Sequence, residues 1–231
     1  MEIRVSGSRR AKVRVVTAYV PIAGHTRTPQ EYAKLGEQLE GALGDFKPAV
    51  FYNTIHDLWM TPFIEKLTAN GHPVNHSQGD NPAKNSMEYH AVQSNKFEWL
   101  QRAAEEDLDA DTFVWLDYGC MRLPGFDSNS LTEFLRRVKK NDLAVPGCWE
   151  KREINDAYPC WRFCGTLFVV PRQDVVPLNQ TFKAVTRLRV RSTLNVSWEV
   201  NTLAHQELAN VGPPLKWYFA DHNASMLVNY A

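Results

Sequence analysis

The residue with the clearest chemical potential is Asp117. In DTFVWLDYGCM, residues 111–121, four apolar residues from Phe113 to Leu116 run into this single carboxylate, and Tyr118-Gly119 follows. An acid at the end of an apolar strand is costly to desolvate unless a cation meets it. A metal ion, a lysine or an arginine would serve, and Arg122 is near in sequence. Gly119 leaves room for a ligand to approach the backbone. Asp-Tyr-Gly is equally suitable turn chemistry, and the residue pattern leaves both readings open. Cys160 and Cys164 stand in a CxxxC spacing. Zinc pairs favour CxxC with partners elsewhere, so these thiols are expected to pack as small buried hydrophobes. His72 and His76 are four apart, but Pro73 lies between them and breaks a helical metal-binding face, so solvated loop histidines are expected.

The usual phosphate grips are missing. There is no GxxxxGK[ST] and no GxGxxG, and no GxSxG elbow supplies an acyl-transfer nucleophile. A phosphate-bearing ligand would have to be held through a metal or through basic side chains.

The elements that must position Asp117 can be read from periodicity. Residues 13–20, VRVVTAYV, read as a buried strand stopped by Pro21. After a polar loop around Gly24, Thr28-Pro29 opens a helix with an apolar stripe of Leu35, Leu39 and Leu43. A second strand follows at 49–53, and Thr61-Pro62 caps a short helix. Gly71, Pro73, Gly79 and Pro82 make 70–84 a loop. Residues 86–106 read as one long helix whose inner face begins at Val92 or Gln93, and the strand 112–117 carries Asp117. A helix capped by Ser130 over 131–140, a short strand LAVPG, a strand 163–171, a helix 197–208 and a strand 216–220 complete the pattern. No element is assigned between Pro171 and Ser197. Strands alternating with helices predict a mainly parallel sheet flanked by helices, an α/β fold. In such a sheet ligands bind beyond the carboxyl ends of the strands, which is where Asp117 lies.

The chain has 231 residues and suits one domain spanning 1–231. At 44% hydrophobic residues it can bury a core. Lysines and arginines balance aspartates and glutamates at 26 each, which argues against a protein that works by blanket neutralisation of phosphates. Basic residues cluster locally, at Arg4, Arg9, Arg10, Lys12 and Arg14 and again at Arg187, Arg189 and Arg191. No apolar run is long enough for a membrane span and no secretory signal is visible, so a cytoplasmic location with reduced cysteines is expected.

The segments VVTAYV, PQEYAKLGEQL, VFYN, SNKFEWLQRAAEE, TFVWLDYGCMR, CGTLFVVPR, SWEVNTLA and WYFADHN occur in that order. Together they resemble nucleotide-sugar-dependent glycosyltransferases of the GT-A fold, and the chain is most similar to the bacterial HtrL/YibB-like group. The resemblance implies a GT-A-like, Rossmann-like single domain, with 1–120 as the nucleotide-binding half and 121–231 as the acceptor half. It implies transfer of a sugar from a nucleoside-diphosphate donor, such as a UDP-sugar, to a hydroxyl of a saccharide or of a hydroxymethylated DNA base. In the family a DxD motif holds Mn²⁺ or Mg²⁺ against the diphosphate. Asp117 matches its first carboxylate, but Gly119 stands at the second. Either the metal is held sparsely, or Lys96, Arg122 or Arg172 neutralises the phosphates. His222, in ADHN, matches a further metal ligand of the family, with Asp221 beside it. Glu199, in SWEVN, matches the general base that deprotonates the acceptor. Thr17 and Tyr19 match the nucleotide-base site, Gly165 the donor-sugar segment, and Trp161, Arg162 and Trp198 the acceptor side.

Two rival readings accompany this one. Asp117 with Glu150, after the next strand, resembles a two-carboxylate metal-dependent nuclease, although Lys151-Arg152 replaces the expected Glu-x-Lys. The missing second aspartate also suits a nucleotide-sugar-binding module without catalysis.

Overall fold

The computed structural model describes residues 11–23, 27–76, 81 and 84–231. Of the basic N-terminal cluster, Arg4, Arg9 and Arg10 lie outside the described residues, as do Gly24, Gly79 and Pro82 of the loops.

A mixed α/β fold is observed, with a six-stranded sheet in the order β2-β1-β4-β6-β5-β8. Its strands are β1 (Val13–Tyr19), β2 (Pro48–Tyr52), β4 (Thr112–Leu116), β5 (Ala144–Gly147), β6 (Leu167–Pro171) and β8 (Lys216–Phe219). β1 pairs in parallel with β2 and β4, and β5 with β8; β6 runs antiparallel between β4 and β5. A separate parallel pair joins β3 (Asn75–His76) to β7 (Asn195–Val196). His76 therefore sits in a strand, and it and His72 are both exposed.

Every residue of β4 is buried, because helices cover both faces of the sheet. Alternation along the strand sends Phe113 and Trp115 to one core and Val114 and Leu116 to the other. The first core is packed by α2 (Thr61–Ala69), α3 (Met87–Ser94), α4 (Lys96–Glu106), α6 (Arg172–Thr193) and α7 (Glu199–Ala209). The second is packed by α1 (Pro29–Leu43), α5 (Ser128–Arg137) and α8 (Ser225–Val228). Among the described residues no helix is long and apolar enough to cross a membrane.

Helix α1 starts as the sequence predicts. Thr28 and Glu31 form a reciprocal capping box, and Leu39 and Leu43 are buried. Several assignments differ from expectation: β6 and α7 start later than the apolar pattern suggests, and Met60 rather than Thr61 precedes α2. The helix over 86–106 is two helices that break at Asn95, whose Oδ1 accepts the Trp59 N–H at 3.2 Å. The break lets Lys96 open α4 while facing inward. Asp127 rather than Ser130 caps α5, accepting from Ser130 N–H at 2.8 Å. The 22-residue α6 fills the stretch without an assigned element. Pro177 inside its opening turns obscured it, and a helix there needs tertiary support from buried Val175, Leu178 and Phe182.

Candidate active site

Asp117 leaves the carboxyl end of β4, and its N–H donates to Thr166 O just before the antiparallel β6. That neighbour brings Gly165 to the end of β4. Helix α4 supplies Lys96 from one side and α7 supplies Glu199 from another. The three side chains converge. Lys96 Nζ is 3.0 Å from Asp117 Oδ1, donates to Glu199 Oε1 at 2.8 Å and donates to Gly165 O at 2.8 Å.

Lys96 and Glu199 are 1% and 2% exposed, so each charge depends on the other for its solvation. Burial alone would lower the Lys96 pKa, but Asp117 and Glu199 outweigh it and hold the ammonium above its ordinary value. Trp115 Nε1 donates to Asp117 Oδ1 at 2.9 Å and fixes the carboxylate further. Glu199 Oε2 is buried and has no hydrogen-bond partner among the described residues. Gly165 is glycine for a steric reason: a Cβ there would lie 1.9 Å from Glu199 Oε1 and 3.1 Å from Lys96 Nζ.

Two adjoining cavities open at this triad. The smaller, about 110 Å³, is walled by Tyr19, Tyr32, Trp99, Trp115, Tyr118 and Arg27, among others. The larger, about 280 Å³, is walled by Trp161, Gly165, Trp198, Glu199 and His222. They share Lys84, Tyr89, Gln93, Lys96, Asp117 and Arg122. The tyrosines form a cluster, with Tyr19 5.3 Å from Tyr32 and 5.4 Å from Tyr118 between ring centroids. Gly36 in α1 makes room for it, since a Cβ there would fall 2.0 Å from the Tyr118 hydroxyl. Burial raises the pKa of Tyr89 and Tyr118, so both remain neutral hydrogen-bonding phenols at ordinary pH. Burial, and then the like charge of Arg122, pulls Lys84 below its usual value. Arg27, Lys84 and Arg122 thus give the smaller cavity cationic walls.

The structure sorts the residues expected from sequence. Asp117, Lys96, Gly119, Arg122 and Tyr19 meet at the smaller cavity, and Gly165, Trp161, Trp198, Glu199 and His222 at the larger. Thr17 does not reach either. It is 1% exposed within β1, because alternation points it into a core rather than out of the strand end. Arg162 is not at a cavity mouth. Its guanidinium is buried in a two-pronged pair with Glu207, at 2.7 and 2.9 Å, over the Trp217 ring. Arg172 lies at the opposite end of the sheet, donating to the carbonyls of Ala104, Asp107 and Ala110. Glu150 is exposed and lines neither cavity, so the second carboxylate of the nuclease reading is not supplied. Arg187 and Arg191 are exposed but lie over Trp59 and Phe63, and Arg189 pairs with Asp156.

Lys84, Arg27, Tyr32, Tyr89 and Tyr118 were not found from sequence. Lys84 and Arg27 come from irregular loops, where no periodicity marks a facing side. Tyr118 adjoins Asp117 and was the one available signal.

The fit of Mn²⁺ or Mg²⁺ can be tested on the donor set. These hard cations take six or more oxygen ligands. At Asp117 one carboxylate is present, Gly119 stands two residues on, and Oδ1 already accepts from Lys96 and Trp115. His222 Nδ1 lies instead 3.9 Å from Cys164 Sγ. Among the described residues the donors that converge with His222 are Cys148 and Cys164. Among the described residues Asp117 thus offers the smaller cavity a single carboxylate, and a Mn²⁺ or Mg²⁺ would have to complete its shell with waters and the oxygens of a bound diphosphate. Cys160 and Cys164 are free and buried, as expected of small hydrophobes, and the sulfur neighbour of Cys164 is Cys148, at 3.5 Å.

Neither a protein family nor a curated protein sequence matches the chain. In three dimensions the chain is similar to a glycosyltransferase involved in the glycosylation of the major capsid of PBCV-1. The likeness has 13% sequence identity, a TM-score of 0.50, and covers 90% of this chain and 81% of that one. At that identity it establishes the fold, a Rossmann-like α/β architecture that a glycosyltransferase also uses.

Proposed function

We propose that the chain is a single-domain glycosyltransferase that moves a sugar from a nucleoside-diphosphate sugar to a hydroxyl acceptor. The observation that carries this reading is the junction of the two cavities at a carboxylate pair, Asp117 and Glu199, sharing one buried ammonium.

The smaller, tyrosine-walled cavity is assigned to the nucleotide, with an aromatic face available from Tyr19 or Tyr32. Arg27, Lys84 and Arg122 meet the charge of the diphosphate, in place of Mn²⁺ or Mg²⁺. Lys96 is a positioning residue, since its donors are committed to Asp117, Glu199 and Gly165. The donor sugar extends into the larger cavity, and the acceptor enters past Trp161 and Trp198, whose rings suit a sugar face. Glu199 acts as general base: Oε1 is held by Lys96, and Oε2 takes the proton as the acceptor oxygen attacks the anomeric carbon. The sugar–phosphate bond breaks, and the electron pair leaves with the diphosphate against the cationic walls. A saccharide hydroxyl is the favoured acceptor, because the chain carries no net charge and Arg187, Arg189 and Arg191 already contact Trp59, Asp156 and Phe63.

The test joins a thermal-shift screen of nucleotide-sugars to donor hydrolysis without acceptor. The expected result is a raised melting point for one donor class and slow hydrolysis. Glu199→Gln should lower turnover by about 10²- to 10⁴-fold while keeping the donor shift. Lys84→Ala and Arg122→Ala should weaken the shift, and added Mn²⁺ should leave it unchanged. Wild-type turnover in Glu199→Gln defeats the assignment, and donor binding without turnover on any acceptor identifies a binding module instead.

A further inference from the structure

We propose that Cys148, Cys164 and His222, with Asp221 as the fourth donor, form a structural zinc site at the rim of the larger cavity. The inference rests on these residues alone and does not need the transfer reading.

The sheet topology gathers them. β5 and β8 are parallel neighbours with Gly147 opposite Phe219, so Cys148 and the Asp221-His222 pair leave the same end of the sheet. β6 is antiparallel to β5, and the segment leading into it begins at that end, where Cys164 N–H donates to Pro146 O at 2.7 Å. Cys148, Cys164 and His222 offer donor atoms within 4.8 Å of one another, and Asp221 touches two of the three. Cys148 Sγ is 3.5 Å from Cys164 Sγ and 3.4 Å from Asp221 Oδ1. His222 Nδ1 is 3.9 Å from Cys164 Sγ and 3.3 Å from Asp221 Oδ1. With zinc–sulfur bonds of about 2.3 Å and zinc–nitrogen or –oxygen bonds of about 2.0–2.2 Å, the edges of a tetrahedral site are about 3.3–3.8 Å.

Two thiolates and an imidazole select a borderline-soft ion over Mg²⁺ or Mn²⁺. Four protein donors make a closed site of the structural kind. Both cysteines are free, so no disulfide occupies them. The ion would tie the ends of β5, β6 and β8 together and hold the His222 ring against Trp161, 4.7 Å between centroids, on the cavity wall.

The experiment measures zinc in the chain purified under reducing conditions without chelator, by plasma mass spectrometry. The expected content is about one ion per chain, with a melting point lowered by EDTA and restored by zinc but not by magnesium. Cobalt substitution should give a thiolate-to-cobalt charge-transfer band in the near-ultraviolet. Cys148→Ser, at a half-buried position, should lose both ion and band, while Cys160→Ala keeps them. His222→Gln and Asp221→Asn, at more exposed positions, should weaken zinc affinity at least tenfold while folding normally. The proposal is overturned if the reduced, folded chain takes up no zinc in competition with a chromophoric chelator. It is equally overturned if Cys148→Ser binds as the wild type does, or if the two cysteines pair as a disulfide and the reduced form binds no metal.

Discussion

Replacing Lys96 by methionine removes the one cation between two carboxylates while keeping most of the side-chain volume. At an effective dielectric of about 20, unit charges 3 Å apart attract by about 5–6 kcal/mol. Lys96 makes two such pairs, at 2.8 and 3.0 Å. Returning the ammonium to a methionine relieves several kcal/mol of desolvation, and the variant keeps two carboxylates facing each other, one of them 2% exposed. The net loss expected for breaking a buried pair from one side is about 3–5 kcal/mol. Against a total stability of about 5–15 kcal/mol for a chain of this kind, that is a large fraction. Urea unfolding followed by tryptophan fluorescence measures it, with seven tryptophans as probes. Glu199→Gln should cost less, because Lys96 keeps Asp117 and Gly165 O. Lys96→Met combined with Glu199→Gln should be more stable than the sum of the single losses predicts, by about 0.5–3 kcal/mol, since the stranded buried charge is gone. A Lys96→Met chain within about 1 kcal/mol of wild type, or strictly additive losses, would refute the shared-ammonium argument.

Two further perturbations test the site and the fold. Gly165→Ala places a methyl group within 1.9 Å of Glu199 Oε1, so donor turnover should fall by at least tenfold while the nucleotide-dependent thermal shift persists; an unimpaired variant would mean that Glu199 is free to move. His205 is held down at about 4 by burial and by Arg189, with Asp156 Oδ1 at 2.8 Å pulling in the opposite direction. A group with a depressed folded pKa stabilises the fold above its unfolded value and loses that contribution as pH falls, so stability should drop between about pH 6.5 and 4. His205→Gln should flatten that limb of the pH–stability curve, and an unchanged slope in urea titrations would remove His205 from the account.

The local pattern of the chain determined a good deal. Alternating apolar runs and cap residues located β1, β4 and α1, because strand alternation, the Thr28 capping box and the stop at Pro21 act within a few residues. The same reasoning placed Asp117 at an open strand end, since a carboxylate after four buried apolar residues has to find a cation. Which cation it finds was decided only in three dimensions. Lys96 lies 103 residues from Glu199 and 69 from Gly165, and they meet because β6 inserts antiparallel beside β4 and because α4 restarts at Asn95. Arg162 shows the converse: beside Trp161 it reads as a cavity residue, yet Glu207, 45 residues away, buries it. Cys148 and Cys164 likewise meet His222 only through the order β6-β5-β8. Helix caps and strand alternation are short-range preferences written in neighbouring residues, whereas the partner that compensates a buried charge is chosen by sheet order, which no local propensity encodes.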